Sequence, residues 1–206
     1  MGVIDTTRTE TFSDGVFAIA ITLLVLELHV PNLTTDGGLW HALTEEWPSF
    51  SAYLVSFLVI GIMWVNHHAM FRVFARIDRI GLFINLVLLM FIALLPFSTA
   101  LMSRYLDAGN RNAHVAAAVY SANLLAAAIA FSLLWLYAVR GGRLIAVAMT
   151  PAEERVAIIR YGIGVLIYAA TVALAFVSAP LTLAVQLLIA LYYCFDQLGA
   201  RARKRR

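Results

Sequence analysis

The sequence predicts an all-α integral membrane protein with six transmembrane helices in each subunit. Hydrophobic residues make up 62% of the chain and charged residues only 13%, whereas soluble domains carry about 25% charged residues. The charges are confined to short stretches between long apolar runs, a pattern typical of helices rather than of an outer-membrane barrel. The single cysteine, Cys194, lies inside an apolar run, so a disulfide framework within one chain is excluded.

Six apolar segments are long enough to cross a hydrocarbon core of about 30 Å, which takes about 20 helical residues. Their approximate bounds are 12–29, 48–72, 81–104, 113–139, 155–177 and 181–198. We expect residues 1–206 to form a single transmembrane domain, without a soluble domain or a long linker.

Local signals support the later spans in turn. The second begins at Pro48, a residue favoured in the first helical turn. The third contains Pro96, which predicts a kink. The fourth is unusually rich in alanine, and the fifth and sixth are joined by a tight turn at 178–180.

Basic residues are distributed unevenly between the two ends of this predicted bundle. One end holds Arg8, Arg72, Arg76, Arg79, Arg140, Arg143, Arg155, Arg160 and the tail 201–206. The other end holds Arg104 and Arg111, beside Asp36, Glu45, Glu46 and Asp107. The positive-inside rule therefore predicts a multi-pass protein of the cell membrane with cytoplasmic N- and C-termini, and the net charge of +3 indicates topology rather than nucleic-acid binding.

The first span has two different faces when it is placed on a helical wheel at about 100° per residue. One face carries Phe12, Gly15, Ile19, Thr22, Leu23 and Leu26, and the other carries Asp14, Ala18, Ile21 and Val25. The aliphatic face is suited to line a pore, where a ring of such side chains closes by excluding water. The alternative is an ordinary buried helix that Ser13 and Asp14 cap at its start, with the Thr22 hydroxyl bonded to a helix carbonyl.

Ionisable side chains near the spans are expected to have polar or charged partners. Asp14 is costly to bury alone, and we expect it to join a polar network with Arg8 and either His67 or His68. Adjacent histidines on a helix point about 100° apart and cannot hold one ion together, so no metal site is predicted. Glu27, at the outer end of the first span, either concentrates cations at a pore mouth or marks where the span meets water. Isolated polar residues of later spans are predicted to join helices: Asn85, Gln186 and Asp196.

The string Arg8-x-x-x-Phe12-Ser13-Asp14 resembles the signature of the transmembrane-protein-175 family of potassium channels. Animal members of that family carry a six-span unit twice per chain, and prokaryotic members carry it once and form tetramers. With one such unit, this chain resembles the prokaryotic branch. The sequence has no TVGYG filter, no P-loop and no Gly-x-Ser-x-Gly motif, so an unconventional channel is expected and an enzyme is not.

The resemblance also implies roles for individual residues. In the family the first helix lines the pore, and the aliphatic residue five after the aspartate, here Ile19, forms the narrowest ring. Leu23 and Leu26 would add further layers, and Thr22 would favour potassium. The implied hydrogen-bond network contains Arg8, Ser13 and Asp14 with Trp64 and His67 or His68.

The expected function is therefore a homotetrameric cation channel, modestly selective for potassium over sodium, with a hydrophobic gate. The resemblance implies potassium as the permeant ion and proton permeation as a further property. The arginines beside the spans indicate membrane lipids as partners, and neither a cofactor nor nucleic acid is expected. Two alternatives stay open: a proton or cation transporter that uses Asp14 and a histidine, and a membrane scaffold without transport activity.

Overall fold

The structure, a computed structural model, describes residues 6–31, 38–142, 144–145 and 150–203. Side chains are described in these ranges except at 141, 151, 153, 157, 160, 161 and 195–203. Several charged residues used in the predictions above have side chains that the structure does not describe: Asp36, Arg143, Arg160, Asp196 and the basic residues of the tail.

The described chain is helical, with one isolated antiparallel bridge between Phe74 and Ile145. Its helices are α1 (Thr6–Leu23), α2 (Gly38–Glu45), α3 (Trp47–Phe71), α4 (Arg79–Tyr105), α5 (Arg111–Val139), α6 (Pro151–Ala175) and α7 (Ala179–Arg203). Short 3₁₀ turns follow α1 at Leu24–Glu27 and α5 at Arg140–Gly142.

Four of these helical segments are long and apolar enough to cross a membrane. They are α1 with its 3₁₀ extension, α3, α4 and α5. The described parts of α6 and α7 hold shorter apolar stretches, Gly162–Ala175 and Ala179–Cys194. The fifth and sixth spans therefore stay predictions. The short α2 lies in the connection between the first two predicted spans and was not predicted.

Capping residues account for several helix starts. Asp78 accepts a hydrogen bond at 2.9 Å from the backbone N–H of Gly81 at the start of α4, and Asn110 accepts one at 2.8 Å from Asn112 at the start of α5. Pro48 occupies the first turn of α3. The interpretation of Ser13 and Asp14 as a cap is wrong, because α1 begins at Thr6 and both residues lie inside the helix.

The core lies around α5, which packs most extensively against α4 and α6. Alanines of α5 are buried at these contacts, and such small side chains let helices approach closely in membranes: Ala113, Ala116, Ala117, Ala127, Ala130 and Ala138. On the other side of the molecule α1 packs against α3 and α4. One face of α1 is therefore covered by its own subunit.

The α3–α4 connection is held against the segment that follows α5. The backbone N–H of Ala75 donates to the carbonyl of Leu144 at 2.7 Å. The Tyr137 hydroxyl of α5 donates to Oδ2 of Asp78 at 2.6 Å. With Phe74 and Ile77 buried, these contacts fix the connection as a platform, defined here as residues 72–79.

Candidate functional site: the first helix and its polar contacts

Asn85 of α4 joins the buried face of α1 to α3. Its Nδ2 donates to Oγ of Ser13 at 3.0 Å, and its Oδ1 lies 2.9 Å from Nε2 of His67. The Ser13 hydroxyl in turn donates to the carbonyl of Thr9 at 2.8 Å. Because the amide oxygen can only accept, Nε2 of His67 is the protonated nitrogen in this arrangement. The four groups thus form one directed chain of hydrogen bonds across three helices.

The His67 imidazole is almost fully buried, with 1% of its surface exposed. Its ring stacks on Phe71 with centroids 4.4 Å apart and contacts Phe17 of α1 at 5.4 Å. An edge contact at 6.5 Å reaches Phe131 of α5. These aromatic neighbours hold the ring in the orientation that bonds Asn85.

A second polar contact links α1 to α3 at Asp14. The indole Nε1 of Trp64 donates to Oδ1 of Asp14 at 2.8 Å, which gives this half-buried carboxylate the donor that its position requires. The Trp64 ring stacks on the exposed His68, with centroids 6.2 Å apart. The structure therefore places the two histidines in different surroundings, His67 in the Asn85 chain and His68 beside Trp64. Arg8 is exposed near the start of α1.

The opposite face of α1 is aliphatic and uncovered. The exposed fractions of Ile19, Leu23 and Leu26 are 61%, 41% and 68%. Thr22 is exposed among them, and its Oγ1 lies 2.9 Å from the carbonyl oxygen of Ala18 and 3.0 Å from that of Ile19. The hydroxyl proton is thus held by the backbone, which leaves the oxygen lone pairs available on the exposed face.

The Glu27 end of α1 borders an open cavity of about 660 Å³. Carboxylates of Glu27, Glu45 and Glu46 line it, together with Arg104. His29 and the end of α4 complete the wall. The lining thus carries three carboxylates and one guanidinium, and this excess of negative charge favours cations in the cavity.

Sequence reasoning assigned Asn85 only a general role as a polar link between helices, and the structure gives it specific partners. The available signal was a lone amide in a strongly apolar span, which does not identify its partners. Among the described residues no group of three or more histidine, cysteine or acidic side chains could hold a metal ion.

Comparisons with known proteins agree with this architecture. The family model described as "Endosomal/lysosomal potassium channel TMEM175" matches residues 8–96. A potassium channel of Streptomyces collinus is 53% identical over 197 residues, which cover 96% of this chain and 95% of that protein. An endosomal/lysosomal proton channel TMEM175 of Gallus gallus is 36% identical over 108 residues, 48% of this chain and 22% of that protein.

A solved structure extends the similarity to the fold. The crystal structure of a lysosomal potassium-selective channel TMEM175 homolog from Chamaesiphon minutus superposes with a TM-score of 0.82 and 41% sequence identity. The superposition covers 93% of this chain and 97% of that one.

Proposed function

Because this chain belongs to the TMEM175 family of potassium channels, we propose that it forms a potassium-selective channel of the cell membrane as a homotetramer. Each subunit contributes six spans, and both termini are cytoplasmic. The family is one of ion channels rather than enzymes. Selectivity for potassium over sodium is modest in this proposal.

The observation that carries the proposal is the uncovered aliphatic face of α1. One face of this helix packs on α3 and α4, while Ile19, Leu23 and Leu26 remain exposed. Four copies of this face around an axis make stacked rings of aliphatic side chains, which close a pore by excluding water. Ile19 forms the narrowest ring.

Thr22 contributes potassium preference in this arrangement. Its hydroxyl proton is bonded to the backbone of α1, so the oxygen faces the axis as an acceptor for a partly dehydrated cation. The acids Glu27, Glu45 and Glu46 raise the cation concentration at the outer mouth.

The polar network holds α1 in place rather than conducting ions. Hydrogen bonds join Ser13 and Asp14 to α4 and α3, so the pore-lining face cannot rotate without breaking them. Trp64 and His67 make these contacts directly or through Asn85. We assign Arg8 and His68, which stacks on Trp64, to the same supporting role. Proton conduction through the same pore is a second candidate function, because the Gallus gallus relative is a proton channel.

The test is planar-bilayer recording of the purified channel under a potassium/sodium gradient. We expect the wild-type reversal potential to be shifted from zero toward the potassium potential, and Ile19→Asn, which wets the ring, to raise the basal current at least several-fold. Leu133→Asn is the matched control, because Leu133 is a 51% exposed aliphatic residue of α5, a helix that is not among those packed extensively against α1. Its current should equal that of the wild type.

An Ile19→Asn current equal to the wild-type current, with the oligomer intact, would remove Ile19 from the gate. Absence of current from all three intact oligomers would favour a transporter or a scaffold instead. A reversal potential that follows a pH gradient would identify protons as the main permeant ion.

A further inference from the structure

Exposed arginines surround the platform between α3 and α4. Arg72 ends α3, Arg79 begins α4, and Arg140 lies in the 3₁₀ turn that follows α5; all three are exposed. The nearby acid, Asp78, is engaged by Gly81 and Tyr137. This end of the molecule therefore presents positive charge to its surroundings.

The arginines project from a fixed scaffold. The Phe74–Ile145 bridge and the Ala75–Leu144 hydrogen bond anchor the platform to the segment after α5, and the platform residue Ile77 is fully buried. The backbone that carries Arg72 and Arg79 is therefore already ordered, so binding a ligand there costs no backbone ordering.

An uncovered apolar stripe of α4 begins immediately after Arg79. Its residues recur every three or four positions and are all exposed: Ile80, Phe83, Val87, Met90, Leu94 and Phe97. The guanidinium of Arg79 lies over the Phe83 ring, 5.8 Å from its centroid, a cation–π distance that holds the charge at the head of the stripe. From Ile80 to Met90 the helix rises about 15 Å, half of a hydrocarbon core of about 30 Å.

We propose that Arg79 and the α4 stripe form a binding site for an anionic phospholipid of the inner leaflet. Arginine binds phosphate through paired N–H donors, and Arg72 and Arg140 add positive potential at the same end. An acyl chain extends along Ile80, Phe83, Val87 and Met90, over the depth that one leaflet provides. A cationic head followed by an apolar track of leaflet length matches an amphiphilic lipid better than a soluble anion. The proposal depends on α4 spanning the membrane and not on the channel's selectivity.

The test is lipid binding to the full-length purified oligomer in detergent, with fluorescent phosphatidylglycerol and phosphatidylcholine as probes. We expect the wild type to bind phosphatidylglycerol more tightly, with an affinity that falls as salt rises. Arg79→Gln should weaken phosphatidylglycerol binding about fivefold and leave phosphatidylcholine binding unchanged. Arg79→Lys, which keeps the charge, should weaken phosphatidylglycerol binding less than Arg79→Gln does. Phe83→Ala should weaken the binding of both lipids.

Arg111→Gln is the control, because it removes an exposed arginine from the opposite end and should leave binding unchanged. Equal losses for Arg79→Gln and Arg111→Gln, or no preference for phosphatidylglycerol in the wild type, would overturn the site. Cross-linking of Val87→Cys between subunits would also overturn it, since a second copy would then cover the stripe. Oligomer size, measured for every variant, separates lost binding from lost assembly.

Discussion

At the residue scale, Asn85 is the group on which the position of α1 most depends. Its amide serves two helices at once, as donor to Ser13 and as acceptor for His67. Removing it leaves the buried Nε2–H of His67 without its acceptor, and an unsatisfied group of this kind costs about 1–3 kcal/mol. Ser13 also loses a donor, but its hydroxyl keeps the bond to the Thr9 carbonyl.

Asn85→Ala should therefore lower the free energy of unfolding by about 1–3 kcal/mol, mainly through the unpaired His67 imidazole. The measurement is thermal or denaturant unfolding of the purified protein in detergent. Asn112→Ala, at an exposed asparagine, should have a small effect in the same assay. Equal unfolding midpoints for the two variants would show that the Asn85 bonds contribute nothing to stability.

The sequence led us to expect a partner for Asp14 but not the bonds of Asn85. Asp14 is ionisable and lies at the edge of an apolar span, where an unpaired charge is costly, and Trp64 was among the expected members of its network. The bond from Asn85 to Ser13 joins residues 72 positions apart. It depends on how α4 is rotated against α1, which no periodicity within either segment encodes.

At the scale of elements, helical periodicity identified the exposed aliphatic face of α1 but not the face that packs against the rest of the chain. The predicted opposite face contains Ala18 and Val25, which are exposed, whereas the buried residues are Ser13, Phe17 and Ala20, about a quarter turn away on the helical wheel. The end of the helix was not predictable in the same way, since the change to 3₁₀ winding at Leu24–Glu27 has no proline or glycine to mark it.

The contact between α5 and α7 includes a buried polar pair. Gln186 Nε2 donates to Oγ of Ser121 at 2.8 Å, while Oε1 of Gln186 has no hydrogen-bond partner in the described part of the chain. Ser121→Ala should cost about 1–3 kcal/mol of unfolding free energy, because the Gln186 amide then loses its acceptor inside the core.

Adding Gln186→Leu to Ser121→Ala should recover most of that loss, since replacing both partners by apolar groups can be nearly neutral. A double-mutant cycle on unfolding free energies measures this coupling. If the double variant is as unstable as the sum of the two single variants, the pair is not coupled and α7 is held by packing alone.

At the scale of the whole molecule, the distribution of charge predicts orientation. The platform and Arg140 lie at one end, and the cavity lined by Glu27, Glu45 and Glu46 lies at the other. Hydropathy was sufficient for the helical class and for four spans. It was insufficient for α2, because an eight-residue helix carries too short a pattern.

Orientation can be measured with single cysteines in a Cys194→Ser background. Asp107→Cys should react with a membrane-impermeant maleimide on intact cells, and Ala75→Cys should react only after permeabilisation. Both positions are exposed in the structure, so a difference in labelling reports the side of the membrane. Labelling of Ala75→Cys on intact cells would reverse the proposed topology.

The 3₁₀ turn that continues α1 changes the rotation and the rise per residue at the end of the helix. Each 3₁₀ residue turns about 120° and rises about 2.0 Å, so three steps from Leu23 complete one revolution and place Leu26 about 6 Å directly beyond it. Continued α winding would stop about 60° short of that alignment. The two leucines therefore lie nearly in one line along the helix. In the tetramer proposed above, the Leu26 side chains would stand directly over the Leu23 side chains instead of being rotated about 60° from them.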